Sequence, residues 1–221
     1  MSLPPRPAPV RLGLPLTDDE ITALGDGDLV VRDGVLGAAW AVECRRAAEA
    51  LDAAGGLCAG RVGRGRRDRP ELRSDRRAFL SEVEQAPPLA ALWAGFESLR
   101  LSLNAGAWLG LRRFEVQLAC YPGGGARYVK HRDAFAGGPN RRVTAIYYLN
   151  ADWQPDDGGL LRAWVPGGTR EVAPLADRMV IFLSDRVAHA VTPTHRRRYA
   201  LTAWYRGAEP VPLLPDPPTA R

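Results

Sequence analysis

Two textures of hydrophobic spacing divide the chain. In the first half, apolar residues recur at helical intervals. Residues 36–54 carry such a stripe and stop at Gly55-Gly56, which predicts a helix ended by glycine. Leu89, Leu92, Trp93, Phe96, Leu99 and Leu103 repeat the spacing after Pro87-Pro88, a pair suited to a helix's first turn. Their side chains read as core facing a sheet. Thr17-Asp18-Asp19-Glu20 reads as an N-cap followed by acids that favour the positive end of a helix dipole. Residues 28–32 read as a short strand.

From Arg113 on, the spacing shortens. Runs rich in β-branched and aromatic residues cover 114–121, 128–131, 143–149, 160–165, 169–172, 179–183, 188–192 and 198–205. Gly123-Gly124-Gly125, Gly158-Gly159 and Gly167-Gly168 punctuate them. Closely spaced strands after a helical first half predict a mainly β fold with supporting helices. The expected form is a double-stranded β-helix, or jelly-roll barrel, packed on the N-terminal helices. The division expected is an extended Pro-rich start over 1–16, one domain over 17–207 and a Pro-rich tail over 208–221. Within the domain, helical support spans 17–112 and the barrel core 113–207.

Composition narrows the setting. A chain of 221 residues suffices for one domain with a substantial core. No apolar run approaches the ~18 residues needed to span a bilayer. The start, Met1-Ser2-Leu3-Pro4-Pro5-Arg6-Pro7, lacks the apolar stretch of a secretory signal. Neither membrane nor export is therefore expected. Cys44, Cys58 and Cys120 are odd in number and lack metal-type spacing, which suits free thiols packed in a protein of the reducing cytoplasm.

The net charge of +5 is carried by arginine, Lys130 being the sole lysine. Together with abundant Ala, Gly and Pro this is the composition expected of a GC-rich bacterial genome, so arginine content by itself identifies no partner. The densest cluster, Arg61, Arg64, Arg66, Arg67, Arg69, Arg73, Arg76 and Arg77, is interrupted by Gly60, Gly63, Gly65 and Pro70. It reads as an exposed, mobile loop able to help hold a macromolecular substrate. No aromatic residue is interleaved before Phe79, which argues against a base-stacking platform and against nucleic acid as the partner. Gly123-Gly124-Gly125 lacks the spacing and the following Gly-Lys-Ser/Thr of a phosphate loop.

The histidines carry the candidate chemistry. There are three, and His131 opens His131-Arg132-Asp133 at the end of a strand-like run. Residues i and i+2 of a strand share a face, so His131 and Asp133 can grip one metal from one side. His189 can complete a two-histidine, one-carboxylate facial triad, whose open positions suit ferrous iron with a chelating co-substrate and dioxygen. Alternation in 198–205 puts Arg198, Ala200, Thr202 and Trp204 on one face. A guanidinium there can clamp a planar carboxylate through two parallel hydrogen bonds. Tyr148, which shares a face with Thr144 and Ile146, offers a phenol for the same carboxylate. Tyr121 and Tyr128 flank the glycine turn before His131 and can supply another donor. His195, in the turn before Arg198, reads as a surface residue.

The order Tyr121-Pro122-Gly123, Tyr128-Val129-Lys130-His131-Arg132-Asp133, Thr144-Ala145-Ile146-Tyr147-Tyr148-Leu149-Asn150, Gly158-Gly159-Leu160-Leu161-Arg162, Ser184-Asp185-Arg186, His189-Ala190-Val191 and Arg198-Tyr199-Ala200 closely resembles one family. It is that of the 2-oxoglutarate- and iron(II)-dependent prolyl 4-hydroxylases. The likeness is greatest to the hypoxia-inducible-factor prolyl hydroxylases and their bacterial relatives. It runs from about 114 to 205, and upstream Leu72-Arg73-Ser74-Asp75 is similar to the segment that follows the family's mobile loop.

The resemblance implies His131, Asp133 and His189 as iron ligands, with no catalytic residue beyond them. It implies Arg198 on the distal carboxylate of 2-oxoglutarate, aided by Tyr148, and Tyr121 near the chelating end. Ile146, Leu161, Thr202 and Trp204 would line the pocket. Fe(II), 2-oxoglutarate and O2 are the implied cofactors and co-substrates, with ascorbate in support. The implied substrate is a prolyl residue in a protein or peptide, a translation protein being one candidate. Free proline or another small molecule is the main alternative, and a nucleic-acid oxygenase or a non-enzymatic jelly roll are remoter ones. Two departures stand out: Gln117, polar where the animal enzymes carry an apolar pocket residue, and the loop 134–140.

Overall fold

The computed structural model describes residues 15–62, 67–81, 87–134 and 140–208, with only the backbone of 61–62 and 67–68. The expected Pro-rich start and tail therefore fall, at 1–14 and 209–221, outside the described residues. So do Arg64 and Arg66 of the arginine cluster and 135–139 of the divergent loop.

Three helices, interleaved with short strands, lie in the first half of the chain. α1 (Asp18–Asp26) begins with a capping box in which Thr17 and Glu20 bond each other's backbone. α2 (Ala38–Ala53) has no side-chain cap of its own at Gly37. The carboxylate of Asp177, far along the chain, accepts from the backbone N–H groups of Leu36 and Gly37 at 2.7 and 2.8 Å. It also accepts from the Tyr147 hydroxyl, which ties the helix to the sheet beneath it. α3 (Pro87–Ala107) buries Leu89, Leu92, Phe96, Leu99 and Leu103, the stripe read from the sequence.

The strands follow the predicted runs closely. The larger sheet contains β1 (Val30–Asp33), β2 (Cys58–Ala59), β5 (Arg76–Leu80), β6 (Leu111–Tyr121), β8 (Arg141–Tyr148), β11 (Arg178–Leu183) and β13 (Arg198–Gly207) in the order β1-β11-β8-β13-β6-β5-β2. The smaller contains β7 (Ala126–His131), β9 (Leu161–Val165), β10 (Gly168–Val172) and β12 (Ala188–Thr194) in the order β10-β9-β12-β7. A separate short ladder joins β3 (Arg61–Val62) to β4 (Arg67–Asp68). Two facing antiparallel sheets backed by helices are the expected jelly roll.

Alternation sorts the side chains of the larger sheet. Val116, Leu118, Val143, Ala145, Tyr147, Tyr199, Leu201, Ala203 and Tyr205 face α2 and α3 in the main core. Ile146, Tyr148, Val180, Phe182 and Ala200 face inward and pack with Leu161 and Ala163 of the smaller sheet. The inner face thus carries every second residue of β6, β8 and β13. That is how a strand register becomes a pocket wall.

Two expectations fail here. Cys44 and Cys120 are buried but Cys58 is exposed, on the short edge strand β2. More consequentially, the arginine stretch is no loose loop over its second half. Arg76 and Arg77 lie in β5, and Arg73 is buried against Asp75 and the Tyr128 ring. Its guanidinium meets the Asp75 carboxylate through both Nε and Nη2, the latter at 2.7 Å. Arg76 reaches Asp52 beneath α2. Composition cannot distinguish a solvated arginine from one whose partner sits two residues further along the chain.

The pair carries the first prediction. Asp75 has a fully buried side chain and Arg73 one only 10% exposed. Removing one partner of such a pair strands the other charge, at a cost of about 3–5 kcal/mol. Asp75→Ala should lose about that much stability in chemical denaturation. A loss under about 1 kcal/mol would mean that Arg73 finds other solvation.

Candidate metal centre

His131 ends β7 and His189 lies near the start of β12, and the two are directly paired across the smaller sheet. Their rings lie 4.2 Å apart between centroids. Asp133, two residues past His131, brings Oδ1 to 3.7 Å from His131 Nε2 and Oδ2 to 3.7 Å from His189 Nε2. One ligand atom from each of the three residues lies within 4.8 Å of the others. They are the set named from the sequence, now gathered at one point.

The surroundings fix the chemical form of each donor. His131 Nδ1 lies 2.9 Å from the Val129 carbonyl and His189 Nδ1 3.3 Å from the Val187 carbonyl. Each ring therefore places its proton on Nδ1 and turns the Nε2 lone pair toward the shared point. Burial, reinforced by the neighbouring His189, lowers the His131 pKa to about 3. Burial opposes ionisation of Asp133, but the adjacent imidazoles outweigh it and hold its pKa at about 2. At neutral pH the cluster offers a neutral imidazole at His131 and an anionic carboxylate, a donor set that suits a divalent ion. Thr144 Oγ donates to Asp133 Oδ2 at 2.8 Å and contacts Ser184 Oγ at 2.8 Å, which restrains the carboxylate from behind. Thr144 and Ser184 escaped the sequence reading, because neither residue type signals a ligand's support.

The cluster opens on a cavity walled by the inner face of the larger sheet. Arg198, Thr202 and Trp204 of β13 and Ile146 of β8 line it, as the alternation predicts, and so do Tyr121 and Leu161, which the family resemblance implied. Arg198 is 2% exposed. Its Nε donates to the Gly159 carbonyl at 2.9 Å, which turns the guanidinium's other edge away from that turn. Gly159 sits at φ 62°, and a Cβ there would lie 3.0 Å from Arg198 Cδ, so the close approach requires glycine. The guanidinium stacks over the rings of Tyr121 and Tyr148 at 5.1 and 5.0 Å. Tyr148 Oη is buried without a hydrogen-bond partner among the described residues. A buried cation with no carboxylate beside it, next to an unsatisfied phenol, fits a planar dicarboxylate.

Tyr128 also lines the cavity, its ring stacked on His131 at 3.6 Å between centroids and beneath the Arg73 guanidinium. His195 is exposed, as expected of a turn residue. The neighbouring Arg196 is no bystander: it donates to the Asp152 carbonyl at 2.8 Å and lies over the Trp153 ring. Arg73 and Arg77 of the supposed loop line the cavity itself. The clue to Arg73 was its spacing from Asp75 in a segment similar to a known family.

A sequence model described as the 2OG-Fe(II) oxygenase superfamily matches residues 116–206. Prolyl hydroxylase EGLN3 of Homo sapiens is 42% identical over 118 residues, which cover 50% of this chain and 49% of that protein. Egl nine homolog 1 of Rattus norvegicus is 44% identical over 101 residues, covering 44% and 30% respectively. The chain thus spans about half the length, or less, of these curated relatives. Among solved structures, a Pseudomonas putida prolyl-4-hydroxylase superposes with a TM-score of 0.78 at 33% identity, covering 85% of this chain and 97% of that one. A Trichoplax adhaerens prolyl hydroxylase in complex with a hypoxia-inducible-factor oxygen degradation domain peptide fragment gives 0.79 at 27% identity, covering 85% and 87%.

Proposed function

The chain belongs to the 2OG-Fe(II) oxygenase superfamily, in its prolyl 4-hydroxylase branch, and from that membership we propose that it hydroxylates a prolyl residue in a protein. The family uses iron(II), 2-oxoglutarate and dioxygen. Bound together, these supply the oxidation, in which 2-oxoglutarate loses carbon dioxide to become succinate and one oxygen atom enters a C–H bond.

The protein's part is placement. His131, Asp133 and His189 would hold the iron on one face, with Thr144 steadying the carboxylate. Arg198 and Tyr148 would hold the distal carboxylate of 2-oxoglutarate, while Tyr121 would lie by its chelating end and Ile146 and Leu161 would flank its methylenes. Thr202 and Trp204 continue the wall on the same face of β13 and would border the substrate. The buried walls keep water from the reacting carbon. No residue need act as a general base.

A peptide-borne proline is favoured over the free amino acid by one observation. Arg73, Arg77, Arg132, Arg141 and Arg198 line the cavity, and among the described residues Asp133, a metal-ligand candidate, is the one acid in its lining, Asp75 and Glu115 being engaged by Arg73 and Arg141. The secondary ammonium of free proline finds no free carboxylate among these residues. A prolyl residue in a chain has no such charge. Under the same reading the enzyme works in the cytoplasm, ascorbate keeps the iron reduced, and a translation protein is a candidate target. Among the described residues no helix is long and apolar enough to cross a membrane.

The test is succinate formation from 2-oxoglutarate with iron(II), with and without a panel of prolyl peptides, and with L-proline alone. Stimulation by peptides, with a 16 Da mass gain on proline, is the expected result. Stimulation by L-proline and by no peptide would replace this reading with the small-molecule one.

A further inference from the structure

Gln117 stands at the centre of the cavity wall. It lies on β6, opposite Thr202 of β13 on one side and Phe79 of β5 on the other. It is 2% exposed and lines the cavity. Its Oε1 accepts from Arg73 Nη2 at 3.1 Å. Arg73 is itself fixed by Asp75 and by the Tyr128 ring, 4.5 Å from its guanidinium carbon. The orientation of the carboxamide is therefore decided: reversed, its NH2 would face a guanidinium, donor against donor. Nε2 is left buried, with no hydrogen-bond partner among the described residues.

Trp204 Nε1 is buried too, with no partner at full hydrogen-bond geometry among the described residues, but it is turned to the Asp133 carboxylate and helps keep it ionised. Trp204 lies two residues beyond Thr202 on the same face of β13, under the Arg141 guanidinium at 3.8 Å. Arg141 is held there by Glu115, which also binds Arg206. Buried donors left unmatched cost stability, and natural cavities that keep them commonly match them to a ligand. The unmatched group on this part of the wall, Gln117 Nε2, is a donor, and the neighbouring acceptor, Gln117 Oε1, is already taken.

A prolyl residue within a peptide is the complement of such a wall. Its nitrogen is a tertiary amide with no N–H, and its own carbonyl and the preceding one are acceptors. We propose that Gln117 is a specificity-determining residue, clamped by the Arg73–Asp75 pair so that Nε2 donates to a carbonyl of the substrate's prolyl amide. This rests on the reading of the substrate as peptidyl proline, and it goes further in naming the group that reads the amide. An apolar residue at 117 could supply contact area but could not distinguish an acylated proline from an amine.

The test separates the two layers. Protein loaded with zinc(II) and 2-oxoglutarate, which cannot turn over, is titrated by NMR with N-acetylproline methylamide and with L-proline. Wild type should bind the amide at least tenfold more tightly than L-proline. Gln117→Leu should weaken the amide about tenfold, the measure of one hydrogen bond. Its 2-oxoglutarate affinity should stay within twofold. Gln117→Glu keeps the size and the bond to Arg73 but puts an acceptor where Nε2 was, and should weaken the amide at least as much. This second variant decides the matter if Gln117→Leu fails to fold. Variants that bind the amide as wild type does would overturn the inference alone. Wild type that fails to bind the amide would overturn the peptidyl reading, and the inference with it.

Discussion

Asp133→Ala should abolish metal-dependent succinate production and lower divalent-metal affinity by more than a hundredfold, while the apo protein should still fold. The magnitude follows from what the carboxylate does. It supplies the negative charge among three donors whose atoms converge within 4.8 Å, and among the described residues no other acid lines the cavity to replace it. Loss of an outer group that merely orients a ligand costs about 10–100-fold in metal affinity. Loss of the ligand itself exceeds that. Folding survives because Asp133 follows the end of β7 and contributes no side chain to the apolar core. The Thr144 hydroxyl loses its acceptor but retains Ser184 Oγ at 2.8 Å. Isothermal titration with manganese(II), together with apo thermal denaturation, checks both halves. Undiminished affinity would remove Asp133 from the metal site. A collapsed apo melting temperature would recast it as a structural residue.

Where the sequence was legible, the reason is periodicity. A β-strand alternates its faces without exception over 114–121 and 198–205, so naming Arg198 as inward also names Ala200, Thr202 and Trp204. The same holds for Thr144, Ile146 and Tyr148 on β8, paired in register with β13. The helix stripe from Leu89 to Leu103 was legible for the same reason at a different period. Contacts between elements were not legible. Nothing in the composition around Arg73 marks it as the buried clamp of Gln117, because the arginines flanking it look alike until a partner is placed. Asp177 caps α2 from some 140 residues away, and the chain between carries no trace of the pairing. Thr144 and Ser184 support a ligand through hydroxyls that serve equally well in any strand.

Arg198→Ala should weaken 2-oxoglutarate binding by two to three decades. In the free protein Arg198 is an anomaly of charge: 2% exposed, bonded through Nε to the Gly159 carbonyl, and stacked on tyrosines without a carboxylate. The fold bears that desolvation cost before any ligand arrives. Binding of the distal carboxylate is where it is offset. Deleting the guanidinium leaves an incoming carboxylate buried and unpaired, a penalty of about 3–5 kcal/mol at roughly 1.4 kcal/mol per decade. Arg198→Lys restores charge but neither the fork nor the bond that orients it, so affinity should recover only in part and remain at least tenfold below wild type. Stability separates this role from a structural one. The apo variant should melt within a few degrees of wild type, since an unpaired buried charge has been removed, yet 2-oxoglutarate should no longer raise its melting temperature. Arg197, exposed at the end of the same turn, is the matched control, and Arg197→Ala should retain full affinity. Arg196 is unsuitable as one, because it binds the Asp152 carbonyl and braces the loop before Gly158. An Arg198→Ala protein that loses apo stability but keeps its response to 2-oxoglutarate would show that the guanidinium serves the Gly159 turn and not the ligand.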